Sequence, residues 1–149
     1  MALPNYWKLH CYNDTGVTLD LDGSDDLVVT GIPWKRDSDG ALSFGSKVTL
    51  LDPSADIADG AMAEGTEQDN TSNKWEGMFC YVLCSAESTD PDGNVLFYME
   101  WGEGDAASDT YPSDATDFDA ARMDTDLILV GKITPEGDGD DIVAACFEI

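Results

Sequence analysis

At 149 residues the chain has the length of one domain, enough to bury a core without disulfide or metal staples. Its 31 carboxylates, 23 of them Asp, face only seven Lys and Arg for a net charge of -24, which excludes direct binding to nucleic acid or an anionic membrane, because phosphate binding needs a cationic patch. An apolar content of 42%, with four Trp, five Tyr and five Phe, excludes disorder despite that charge.

Met1 to His10 holds charge and aromatics but no apolar run of signal-peptide length, and no later segment approaches a membrane span. The expectation is a chain made in the cytoplasm without a signal peptide, its four Cys mostly reduced. Tyr6 to Tyr12 reads as a first strand and Val17 to Leu21 as a second. Asp22-Gly23 then turns into Leu27 to Ile32, which Pro33 ends, and Asp37 to Gly40 makes another turn. Leu42 to Leu51 carries a weaker strand pattern broken at Gly45, as at a bulge.

From Asp52 to Lys74 the chain becomes rich in small and polar residues, the pattern of a long loop with room for a short helix around Ile57 to Glu64. Trp75 to Ala86 and Val95 to Trp101 are the clearest strands, read as a hairpin about Asp92-Gly93. Both faces of the second are largely apolar, so the hairpin is central or meets a partner. Cys80 and Cys84 share a strand face with Met78 and Val82, on the order of 13 Å apart and too far for a disulfide, so they read as core. Residues 102–124 form a second long loop, where Ser113 suits the cap of a short helix over Phe118 to Arg122. Leu127 to Ile133 and Ile142 to Ile149 complete a last hairpin about Asp138-Gly139.

No catalytic constellation emerges. A nucleophilic triad needs a histidine, and His10 is the only one; Cys11 beside it points to the opposite strand face. Gly102-x-Gly104-x-x-Ala107 formally matches a dinucleotide fingerprint, yet Glu103 and Asp105 would set negative charge against a pyrophosphate. Asp20-x-Asp22, Asp37-x-Asp39, Asp90-x-Asp92 and Asp138-x-Asp140 offer the hard oxygens that Ca²⁺ takes, but none continues as an EF-hand and most coincide with turns that favour Asp anyway. No cofactor is therefore expected. Glu100, between Met99 and Trp101, reads as a strand-end carboxylate at the solvent edge.

These patterns predict an all-β fold, an antiparallel β-sandwich or flattened barrel with two long loops and at most two short helices, as a single domain over residues 1–149. The expected role is non-enzymatic: a subunit that docks on protein partners, by self-assembly or on a larger lattice, with Trp7, Trp34 and Phe118 as exposed anchors near turns. In size, strand content and acidity the chain resembles the small acidic β-rich structural proteins of tailed-virus particles. That resemblance implies a virion location, as a capsid decoration (cement) protein, often trimeric, or as a tail-tube or neck protein. Two other classes remain open. One is a DNA-mimic inhibitor of a basic protein; the other is a carbohydrate-binding module or hydrolase using Trp34, Trp75 or Trp101 with a nearby carboxylate.

Overall fold

The computed structural model describes residues 3–21, 27–85, 93–102, 127–135 and 143–149. Within them lie ten strands: β1 (Tyr6–Asp14), β2 (Leu27–Arg36), β3 (Leu42–Phe44), β4 (Val48–Leu51), β5 (Met62–Glu64), β6 (Gln68–Asp69), β7 (Gly77–Cys84), β8 (Asn94–Gly102), β9 (Leu127–Ile133) and β10 (Val143–Glu148). Every pairing between them is antiparallel. In the first sheet β1 lies between β8 and the short β5 and β6, and β9 flanks β8. In the second β7 lies between β10 and β2, and β2 carries β3 and β4 along its other edge. The two sheets pack face to face as an all-β sandwich.

Period-two alternation builds the core, because successive strand residues point to opposite faces. Trp7, Leu9 and Cys11 from β1 and Val95, Phe97 and Met99 from β8 meet Leu27, Val29, Met78, Cys80, Val82 and Cys84 from the second sheet. Phe97 stacks on Phe147 across the gap, with ring centroids 5.6 Å apart. One flank of the sandwich is closed by main chain: Gly65 N–H donates to Leu9 O and Thr66 N–H to Leu50 O, both at 2.8 Å, joining β1 to β4. A side chain at Gly65 would press on the carbonyl oxygens of Leu50 and Leu9, so only glycine fits there.

Several expectations change. Strands β7 and β8 do not form a hairpin: β7 pairs with β2 and β10, β8 with β1 and β9. The same holds for β9 and β10, which lie in opposite sheets. Of the four Asp-Gly signals, Asp39-Gly40 joins two strands that do pair, β2 and β3, with Gly40 at φ +83°. Pro33 does not end β2. Its partner Met78 exchanges both main-chain hydrogen bonds with Ile149 instead, so Pro33 occupies a non-bonded position of the β2–β7 ladder and its missing N–H costs nothing there. The second strand shrinks to a bridge between Leu19 and Ile57. The stretch from Asp52 to Lys74 is no helical loop: β5 and β6 within it extend the first sheet beside β1. The helix sketched over Phe118 to Arg122, and the loop around it, lie outside the described residues.

Candidate interaction face

The side chains of the second sheet that turn away from the core are largely apolar. Across β10, β7 and β2, one row runs Cys146, Tyr81, Thr30 and the next Glu148, Phe79, Ile32. Trp34 and Phe44 pair one step further along, and Phe79 lies between their rings, with centroids 6.2 Å from Trp34 and 6.4 Å from Phe44. A soluble sandwich would place polar groups here. Instead Phe79 is 45% exposed, Tyr81 46% and Phe44 55%, and a groove of about 620 Å³ runs over Thr30, Ile32, Phe79 and Tyr81 between Lys47 and Glu148. An apolar strip of this extent, rimmed by charge, is the usual mark of a contact surface.

The anchors expected from the sequence separate here. Trp34 stands on this face, half-buried, under the Arg36 guanidinium at 5.6 Å, with its Nε1 without a partner among the described residues. Trp7 is no exposed anchor. It sits on the core side of β1, opposite Trp101 in register, and is 1% exposed, because β1 is flanked on both edges and covered on that face by the second sheet. Phe118 lies outside the described residues.

The outer face of the first sheet differs: polar residues at its centre are buried. His10 Nε2 donates to Glu100 Oε2 at 2.6 Å, diagonally across the β1–β8 ladder, and both side chains are wholly buried. Lys8, opposite Glu100, forms an ion pair with Glu64 of β5. Glu100 is thus not the solvent-edge carboxylate expected. Only one signal in the sequence pointed to this network: the lone histidine and a glutamate among apolar residues, each on the same strand parity as a tyrosine, Tyr12 and Tyr98.

A second concavity, of about 360 Å³, opens at one end of the sandwich between Trp34, Trp101, Met99 and Ile149, with the carboxylates Glu76 and Glu148 at its wall. Trp75 is turned elsewhere, packed against the core under the Lys35 ammonium at 4.8 Å. Two aspartates in described turns hold main chain. Asp37 Oδ1 accepts from Ala41 N–H at 3.0 Å, and Asp69 Oδ1 accepts from both Thr71 Oγ1 and Thr71 N–H. Those Thr71 bonds pull the Asp69 carboxyl below its ordinary range. Among the described residues no three His, Cys, Asp or Glu side chains gather closely enough to hold a metal ion. No helix among them is long and apolar enough to cross a membrane.

No family model, curated protein or solved structure matches the chain.

Chemically, the two outer faces differ in what they offer. The His10–Glu100 pair is sealed from solvent and ties β1 to β8. The second sheet exposes apolar area and one nucleophile, the Cys146 thiol. Cys11 and Cys80 are shut in the core, where burial pushes each thiol up to about 12.

Proposed function

We propose that the chain is a non-enzymatic structural subunit that docks into a larger assembly through the outer face of its second sheet. The observation that carries this reading is the exposed patch of Phe44, Phe79, Tyr81 and Ile32 on a sheet face where an isolated sandwich has no use for them. The charge of -24 fits the same role: it keeps unassembled copies apart until a specific apolar contact outweighs the repulsion. Within that reading, size, strand content and acidity favour a virion protein, first a capsid decoration protein and next a tail-tube or neck protein.

The test is light scattering coupled to size exclusion from low to high NaCl, with calcium and then with chelator, on the wild type and on Phe79→Asp. The expected result is a defined assembly that strengthens with salt and is lost in Phe79→Asp while its circular dichroism stays that of the wild type. A wild type that remains monomeric throughout removes self-assembly and leaves docking on a capsid, whereas an assembly indifferent to Phe79→Asp removes this face as the docking surface.

The end cleft supports a second reading, carbohydrate binding, because two indole rings and two carboxylates surround one opening. It predicts a change in Trp fluorescence on titration with oligosaccharides, abolished in Trp101→Ala. An unchanged spectrum across neutral and acidic glycans rejects it.

A further inference from the structure

We infer that the occupant of the exposed face is a second copy of this chain, docked sheet against sheet about a two-fold axis that lies in the interface, parallel to the strands and between β2 and β7. This deepens the docking reading above and rests on it.

The argument starts from one row of side chains. Glu148 on β10 pairs with Phe79 on β7, and Phe79 pairs with Ile32 on β2. Lys47 precedes Val48, the partner of Gly31, so it falls beside Ile32 at the far end of the same row. The row therefore reads acid, aromatic, aliphatic, base, and the four side chains line one groove. With strands about 4.8 Å apart, the two charges stand roughly 14 Å from each other, too far to pair within one copy. Among the described residues neither Lys47 nor Glu148 forms an ion pair.

Rotation by half a turn about an axis along the strands reverses this row. Glu148 of each copy then lies over Lys47 of the other, and Phe79 lies over Ile32. The neighbouring row follows, with Tyr81 over Thr30 and Cys146 over Thr49, since Thr30 pairs both Tyr81 and Thr49. Two isologous ion pairs thus flank an apolar centre, the arrangement a two-fold contact requires. Sheet faces of this kind pack about 10 Å apart. A foreign partner has no need of a row whose charges are antisymmetric about its own midpoint. A second copy does.

Sedimentation velocity on Lys47→Glu, Glu148→Lys and the double variant tests the geometry, in enough salt to screen the net charge of -24. Both positions are exposed, so the fold is not at stake. Each single variant places like charges together twice, and its dimer is expected to weaken on the order of a hundredfold. A one-to-one mixture of the two single variants restores a dimer, and so does the double variant, because every 47–148 contact is again of opposite sign. Net charge alone predicts otherwise: Lys47→Glu would weaken the dimer and Glu148→Lys would strengthen it.

A dimer strengthened by Glu148→Lys, or a mixture that stays monomeric, overturns the inference. So does a wild type that never dimerises. An assembly lost in Phe79→Asp but indifferent to the charge exchange overturns the two-fold pairing and leaves the docking face standing. An assembly indifferent to Phe79→Asp removes both.

Discussion

At the scale of single residues, the polar network of the first sheet offers a direct check on stability. Removing one member of a buried hydrogen-bonded pair leaves the other without that bond, so Glu100→Ala is expected to destabilise the fold by about 1–3 kcal/mol in urea unfolding. Replacing both members by apolar groups, His10→Leu with Glu100→Met, is expected to recover part of that loss, because the two sites no longer leave each other unbonded. The four thiols give a second check. Folded but unassembled protein is expected to react with a thiol-specific dye at Cys146 alone, and at all four after unfolding, since Cys11, Cys80 and Cys84 are buried. Burial holds the Cys11 and Cys80 thiols neutral to about 12, against 9.0 in an unconstrained chain, so the unfolded state releases their protons first as pH rises. The contribution of these two groups is intact below 9.0 and is lost progressively toward about 12, which a series of melting curves across that window checks. The core residues Cys80 and Cys84 were legible from strand parity. Glu100 was not, because parity separates two faces without saying that both are covered.

At the scale of elements, strands were readable and their partners were not. An Asp-Gly pair supplies the backbone reversal of a tight turn, but a chain that reverses can return beside itself or cross to the facing sheet. Between β2 and β3 it returns; β7 to β8 and β9 to β10 cross. The choice is made by which apolar faces meet, a long-range property that no four-residue signal carries. Pro33 misled for a related reason: its cost depends on whether the partner strand needs its N–H, and Met78 bonds to Ile149 instead. Short β5 and β6 escaped notice because main-chain pairing to β1, not side-chain pattern, holds them. Gly65 anchors that region, and Gly65→Ala is expected to cost about 1–3 kcal/mol by forcing apart the carbonyls of Leu9 and Leu50. Calorimetry would show the loss as a lower melting temperature, whereas an unchanged value would mean that the flank relaxes freely.

For the whole molecule, charge sets the working conditions. With 31 carboxylates on 149 residues, self-repulsion opposes the compact state, and salt within a Debye length of the surface relieves it. The melting temperature is expected to rise from low to physiological NaCl and then to level off; a flat response would mean that the carboxylates are spaced widely enough to ignore one another. The two outer faces of the sandwich also differ, one holding a buried polar network at its centre and one exposing aromatic side chains, and composition alone could not say which sheet carried which.

The route of the chain between sheets has a temporal side. Strand β1 receives its main partner, β8, only after some ninety residues have intervened, as the separation of His10 from Glu100 shows. Such distant pairing closes a large loop before any contact rewards it, so refolding belongs in the slow regime of milliseconds to seconds that non-local β topologies occupy. During synthesis β1 emerges early and waits unpaired on that side until β8 follows, a ready template for a neighbouring nascent chain. The density of negative charge then acts as a chaperone written into the sequence, holding unfinished copies apart during the interval in which they are most prone to join.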